Sequence, residues 1–114
     1  MKILLDENLP HKLRLHLPNH ETTTAVYVGF GGFKNGALLQ AAEDAGFDVL
    51  ITGDLSLEYE QNMAARKIAI VSLSANSWNI VKHHAAKIAS AVGYAKPGSF
   101  VRVDCVIFRR GRNP

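Results

Sequence analysis

Cysteine is almost absent from this 114-residue chain, in which Cys105 is the single example. A lone thiol excludes a disulfide within the chain and favours a reducing compartment, so the cytoplasm is the expected location. One cysteine without clustered histidines also argues against a structural zinc site, and the five histidines lack metal-site spacing with one another.

Long apolar runs are missing as well. No run approaches the roughly 20 residues that span a membrane, and no basic-then-apolar leader opens the sequence, so we expect no membrane contact. Glycine-rich residues 29–33 lack the G-x-G-x-x-G spacing and the Gly-Lys-Ser/Thr ending of nucleotide loops. We interpret them as a turn anchored by Phe30 and Phe33, with base stacking by these rings as the alternative.

The residues that are present suit a globular protein. Hydrophobic residues make up 47% of the chain and charged residues 20%, which is enough apolar material for a core. We see no internal repeat, low-complexity tract or linker. The sequence therefore predicts a single domain over residues 1–114.

Apolar runs alternate with helical periods, which predicts an α/β fold with a largely parallel central sheet. The expected strands are residues 3–5, 20–28, 47–52, 68–73 and 99–108. The expected helices are residues 9–17, residues 35–45, a helix beginning near Leu57, and a helix from Asn76 or Ser77 to Val92. Asn8 and Asn35 are the expected N-caps of the first two helices, and Gly46 is the expected C-terminal glycine of the second.

Acidic residues follow two of these strands directly. Asp6 and Glu7 follow the first strand, and Asp54 ends a Thr-Gly-Asp sequence after the third. If the two strands are parallel neighbours, Asp6 and Asp54 project from the carboxyl edge of the sheet, where ligands of open α/β sheets bind. Convergent carboxylates favour a hard cation such as Mg²⁺ or Mn²⁺. The alternative is that Asp6 caps the following helix and Asp54 closes a turn.

Neighbouring polar residues have two interpretations each. Glu7 is either a further metal ligand or a solvated neighbour, because adjacent residues of a strand point to opposite faces. Asn8 is expected to be a cap and not a ligand, whereas Gln61 either lines the site or contacts a neighbouring loop.

Basic residues are concentrated late in the chain. Residues 1–60 contain nine acids and four bases, whereas residues 61–114 contain one acid and nine bases. An acidic centre with a basic periphery suits a metal site that meets a phosphate backbone, although folding can also scatter such charges. Arg109, Arg110 and Arg112 either bind phosphate or form a solvated tail.

Three segments, taken in order, resemble the short bacterial PIN-like domains: Leu-Leu-Asp-Glu-Asn-Leu-Pro at residues 4–10, Lys-Asn-Gly-Ala-Leu-Leu at residues 34–39, and Leu-Ile-Thr-Gly-Asp at residues 50–54. Those domains are related to the ribonuclease toxins of toxin–antitoxin pairs. The resemblance implies a PIN-like three-layer sandwich, a Mg²⁺ or Mn²⁺ site, metal-dependent cleavage of RNA phosphodiesters and an antitoxin partner.

The resemblance also assigns roles to individual residues. Asp6 and Asp54 are the implied metal ligands and catalytic residues, Thr52 is a hydrogen-bonding neighbour, and Glu58 is the implied later acid. PIN-like domains usually have an acid at the start of the central helix, but residues 35–37 contain none. The alternative is therefore a degenerate PIN-like module that binds RNA or a protein partner without catalysis. The sequence also leaves open whether so small a domain forms a homodimer.

Overall fold

Five parallel strands form one sheet in the order β2-β1-β3-β4-β5. The computed structural model describes residues 1–33, 35–54 and 63–105. The strands are β1 at Lys2–Leu5, β2 at Glu21–Thr24, β3 at Val49–Thr52, β4 at Ala69–Leu73 and β5 at Phe100–Val103. The predicted α/β fold with a parallel central sheet is confirmed, and helices on both faces make it compatible with a three-layer sandwich.

The central strands are apolar on both faces because both faces are covered. Every residue of β3 and β4 is buried, as are the last three residues of β1. Alternate side chains face opposite layers. One layer packs Ile3, Leu5, Ile51 and Val71, and the opposite layer packs Leu4, Leu50 and Ile70.

Three α-helices lie in the described part of the chain: α1 at Asn35–Asp44, α2 at Trp78–Val81 and α3 at Ala85–Gly93. Leu38 and Leu39 of α1 pack against the layer that contains Leu4. Ile88 and Val92 of α3 pack against the layer that contains Ile3. No helix within the described ranges is long and apolar enough to cross a membrane.

The predicted α-helix over residues 9–17 is instead a 3₁₀-helix at His11–His16. Pro10 is its N-cap residue, so the prediction that Asn8 caps this helix is wrong. Pro18 disfavours helical backbone at Leu17, and the two prolines leave room for only a short helical segment. Leu17 accordingly leaves the helix with φ −123° and ψ 54°.

The predicted long helix after Asn76 is divided in two. Ser77 is the N-cap residue of α2, and a 3₁₀ segment at Lys82–His84 separates α2 from α3. The backbone of His84 has φ −118° and ψ 11°, outside the α-helical region, which interrupts the hydrogen-bond ladder.

Two predicted strands are shorter than expected. β2 ends at Thr24 because the next residues turn back: the N–H of Tyr27 donates to Thr24 Oγ1 and the N–H of Val28 donates to the Thr24 carbonyl. β5 ends at Val103, and residues 106–108 lie outside the described part of the chain, as does the helix predicted to begin near Leu57.

Gly46 ends α1 as predicted. Its φ is +84°, and the N–H groups of Gly46 and Phe47 donate to the carbonyls of Glu43 and Ala42 respectively. This pair of bonds is the Schellman motif, which requires a left-handed residue after the helix. Gly98 has a similar φ of +79°, but a Cβ there would lie 2.8 Å from the Met63 carbonyl oxygen.

Gly98→Ala is expected to destabilise the protein more than Gly46→Ala. A Cβ at Gly46 has nothing within 4 Å, so that change adds only left-handed strain of about 1–2 kcal/mol. Gly98→Ala adds the clash with the Met63 carbonyl, for a total of about 3 kcal/mol or more. Urea denaturation of both variants measures the difference in the free energy of unfolding. Equal losses of stability would contradict a destabilising contact between the new Cβ at residue 98 and the Met63 carbonyl.

The Glu43 side chain fastens α1 to the segment before β4. It accepts the N–H of Lys67 and, at 3.0 Å, the Nη1–H of Arg66. The Lys67 N–H, and after it the Arg66 guanidinium, hold the pKa of Glu43 below its usual value against the opposing effect of burial.

Glu43→Gln is therefore expected to reduce stability in a pH-dependent way. The folded-state pKa of Glu43 is lower than the unfolded value, so its contribution is complete above about pH 4.3 and is lost as the pH falls through the folded-state value. We expect a loss of about 1–2 kcal/mol at pH 7 that shrinks toward pH 3. Chemical denaturation across this range measures it, with exposed Glu21→Gln as the control. A loss that stays constant with pH would contradict the assignment.

Candidate functional site

The strand order creates a topological switch point at the carboxyl ends of β1 and β3. The chain leaves β1 to form β2 on one side and then returns to form β3 on the other. In doubly wound sheets with this order, ligands bind in the crevice at that point. Asp6 is the residue after β1. Thr52 is the last residue of β3, and Asp54 lies two residues beyond it. The two strand ends that were predicted to carry aspartates are therefore neighbours.

The register places the two ends side by side. Leu5 pairs with Ile51, and the Asp6 N–H donates to the Ile51 carbonyl at 2.9 Å. The backbone of Asp6 is thus hydrogen-bonded to β3, which places its side chain at the carboxyl edge of the sheet.

A single buried hydroxyl links the two aspartates. Thr52 is 0% exposed, and its Oγ1 donates to Asp6 Oδ2 at 2.8 Å while accepting the Asp54 N–H at 3.1 Å. The second Asp6 oxygen, Oδ1, accepts the N–H of Glu7 at 2.7 Å. Both aspartates are half-buried. Asp6, Thr52 and Asp54 therefore form one connected group.

Ser72 of β4 completes the support for this group. Its buried Oγ donates to the Asp54 carbonyl at 3.2 Å, which fastens the chain after β3 to the next strand. Ser72 was not among the site residues predicted from the sequence. The available signal was a polar residue inside the apolar run at residues 68–73, because a buried hydroxyl requires a hydrogen-bond partner.

Glu7 has a partner that neither sequence interpretation anticipated. Its Oε1 accepts the N–H of Gly32 at 2.7 Å, which ties the glycine-rich loop to the end of β1. Phe30 and Phe33 stack in that loop with ring centroids 5.5 Å apart and planes inclined by 9°. Phe30 packs against the core and Phe33 is 43% exposed, which agrees with a turn anchored by aromatic rings.

A cavity of about 240 Å³ lies on the β4 side of the aspartates. Gly53, Ser74, Asn76 and Asn8 contribute to its lining, and no ionisable side chain of the described residues does, so we refer to it as the neutral cavity. Ser74 Oγ accepts the N–H of Cys105 at 2.6 Å, which fixes the orientation of the Ser74 side chain. Asn8 thus lines a cavity here and does not cap a helix.

Cys105 is unsuited to nucleophilic catalysis at this edge of the sheet. Burial raises the pKa of its thiol, with hydrogen bonds from the Ser74 and Ala75 backbone opposing the shift. The nucleophilic form of cysteine is the thiolate, which a raised pKa disfavours at neutral pH.

Several predicted site residues lie outside the described part of the chain. These are Glu58, Gln61, Arg109, Arg110 and Arg112. Within residues 1–33, 35–54 and 63–105, no group of three or more histidines, cysteines or acids is placed to hold a metal ion. The described chain does bring the Asp6 carboxylate to the Thr52 hydroxyl, and it fixes the backbone from which the Asp54 side chain leaves at the same edge of the sheet.

Comparisons with protein-family models, curated proteins and solved structures found no match. The basis for a functional proposal is therefore the chemistry of the site itself.

Replacing Thr52 by valine is expected to destabilise the chain by about 1–3 kcal/mol, because the Asp6 carboxylate and the Asp54 N–H each lose a partner. Thr52→Ser keeps the hydroxyl and is expected to lose much less. Thermal and urea denaturation of the two variants measure the effect. Equal losses in Thr52→Val and Thr52→Ser would show that the methyl group, and not the hydroxyl, matters at this position.

Proposed function

We propose that this chain is a PIN-like, metal-dependent ribonuclease that hydrolyses RNA phosphodiesters, with Asp6 and Asp54 holding Mg²⁺ or Mn²⁺. The observation that carries the proposal is the linkage of both aspartates through Thr52 at the β1–β3 switch point. On the PIN-like resemblance, the ribonuclease is a toxin restrained by an antitoxin protein.

The donor set suits a hard cation. A carboxylate offers about four lone-pair positions, and Asp6 uses one on each oxygen for Thr52 and Glu7. Positions therefore remain on both oxygens for a cation, and carboxylate oxygens are preferred by Mg²⁺ and Mn²⁺. A bound cation would lower the pKa of its water and offset charge on the phosphate.

Each neighbouring residue supports this arrangement in a defined way. Thr52 holds the Asp6 carboxylate in one orientation, and Ser72 holds the backbone of Asp54. Glu7 is a positioning residue for the glycine-rich loop, so we assign it no place among the metal ligands. The neutral cavity beside Gly53 leaves room for the sugar or base that flanks the phosphate.

A second candidate function is an RNA- or protein-binding module without catalysis. It is favoured by the absence of a third metal-binding acid in the described ranges and by the lack of any acid at residues 35–37. Fewer carboxylates neutralise less cation charge, so metal affinity and cleavage both decrease.

A Mn²⁺ titration by calorimetry tests the proposed site. Asp6→Asn and Asp54→Asn remove charge while keeping an acceptor oxygen, and each is expected to lower Mn²⁺ affinity roughly tenfold or more. Glu7→Gln can still accept the Gly32 N–H and is expected to bind Mn²⁺ as the wild type does. Glu21→Gln, at the opposite end of the sheet, is the charge-matched control.

Cleavage of a labelled single-stranded RNA with Mn²⁺ then separates the two candidate functions. Cleavage that both aspartate substitutions abolish would support the ribonuclease. No Mn²⁺ binding at millimolar concentration in the wild type would contradict it. RNA binding without cleavage would favour the non-catalytic module.

A further inference from the structure

A larger cavity, of about 590 Å³, lies beside the edge strand β2, and the proposed catalytic group does not use it. Its lining comes from two elements: His11 and Arg14 of the 3₁₀-helix, and residues 22–24 with Tyr27 of β2 and the turn that follows. A volume of several hundred cubic ångströms is typical of pockets that hold small ligands. We refer to this cavity as the β2 cleft.

The lining of the β2 cleft combines a cation with an exposed ring. Arg14 carries a permanent guanidinium charge, whose planar donors match phosphate oxygens, and His11 adds a ring that donates hydrogen bonds. Tyr27 is 85% exposed. Within residues 1–33, 35–54 and 63–105, no acidic side chain contributes to the lining, and the described charge there is cationic.

The Tyr27 ring is carried by a fixed turn. The Tyr27 N–H donates to Thr24 Oγ1 at 3.2 Å, and the Thr24 residue is only 8% exposed. The turn thus presents an exposed aromatic ring from an anchored backbone. Because the backbone is already anchored, only the side chain of Tyr27 has to be ordered when a flat ligand stacks on the ring.

A threonine in the same lining has an unsatisfied hydroxyl. Thr22 Oγ1 is buried and has no hydrogen-bond partner among the described residues. A buried hydroxyl without a partner is costly and calls for a water or ligand group. The unsatisfied Thr22 hydroxyl therefore indicates a polar ligand in the cleft. This indication does not depend on the charge of Arg14 or on the exposure of Tyr27.

The β2 cleft adjoins the proposed catalytic group. Thr24 pairs with Leu5, and the residue after Leu5 is Asp6. Neighbouring strands are about 4.8 Å apart, so the end of the cleft is one strand away from the Asp6 carboxylate. A polymer whose phosphodiester lies at Asp6 can reach the cleft with an adjacent nucleotide.

We propose that the β2 cleft binds a nucleotide of single-stranded RNA, with its phosphate on Arg14 and His11 and its base on Tyr27. The choice of RNA rests on the proposed function. Cationic grooves with aromatic stacking surfaces are the general means by which proteins hold single strands without reading sequence. Thr22 Oγ1 donates to the phosphate of that nucleotide, or donates to or accepts from its sugar hydroxyl.

Binding is measured by fluorescence anisotropy of a labelled ten-nucleotide single-stranded RNA in EDTA, where no divalent cation supports cleavage. Tyr27→Ala is expected to weaken binding roughly fivefold or more, and Tyr27→Phe to keep it. Arg14→Gln is expected to weaken binding and to reduce the salt dependence by about 0.7 in the log–log slope. Lys12→Gln on the same 3₁₀-helix and Tyr94→Ala, which removes an exposed ring outside the cleft lining, are the matched controls.

Thr22→Val separates a binding role from a structural one. The change removes the unsatisfied hydroxyl at nearly constant shape, so the free protein is expected to be at least as stable as the wild type. RNA affinity is expected to fall several-fold in the same variant. A drop in affinity together with a drop in stability would show that Thr22 acts only through the fold.

The inference is overturned if the RNA does not bind, or if Lys12→Gln weakens binding as much as Arg14→Gln does. Its failure is distinct from failure of the proposed function. RNA binding with these sensitivities but no Mn²⁺-dependent cleavage would support the cleft and contradict the ribonuclease. Cleavage and binding that are both insensitive to Arg14 and Tyr27 would support the ribonuclease and overturn the cleft.

Discussion

Parallel pairing of β1 between β2 and β3 is the constraint on which the rest of this structure depends. Because all five strands run in one direction, every carboxyl end and every following turn lies at the same edge. Leu5 pairs with Thr24 on one side and with Ile51 on the other. A shift of one residue in either register would turn alternate side chains to the wrong layer, and a shift between β1 and β3 would also separate Asp6 from Thr52.

The buried hydroxyl of Thr52 holds both aspartates without adding charge to the site. A third carboxylate would add negative charge to an edge that already has two half-buried aspartates, whereas the Thr52 hydroxyl adds none. Thr52 instead orients Asp6 by donating to it and holds the backbone of Asp54 by accepting from it. The arrangement gives the Thr52 hydroxyl and the Asp54 N–H partners within the protein and still leaves acceptor positions on the Asp6 carboxylate.

The carboxyl edge presents different chemistry along its length. The β2 cleft has a guanidinium, a histidine and an exposed tyrosine, the centre has the two aspartates, and the described residues of the cavity next to β4 are uncharged. Glu7 holds the loop that contains Phe33 against the end of β1. In the proposed function, this order would place a cationic and aromatic surface on one side of the phosphodiester and uncharged hydrogen-bonding groups on the other.

Local patterns were enough to locate the three central strands, β1, β3 and β4, and the candidate acids. Continuous apolar runs identify strands that are buried on both faces, and a polar residue directly after such a run marks the carboxyl end. Asp6, Thr52 and Asp54 were accessible to this reasoning, as was Gly46, whose position after a helical period indicates a left-handed cap. These inferences need only a few consecutive residues.

Pairwise contacts between distant segments were decided by the tertiary structure alone. The Glu7 carboxylate accepts the Gly32 N–H, Asn8 lines a cavity with Asn76, and Arg14 and Tyr27 both line the β2 cleft. Each pair depends on the strand order and on where a turn ends, neither of which has a periodic signal in the sequence. The apolar pattern determined which residues are buried in this protein, whereas the order of the strands decided which polar residues meet at the edge.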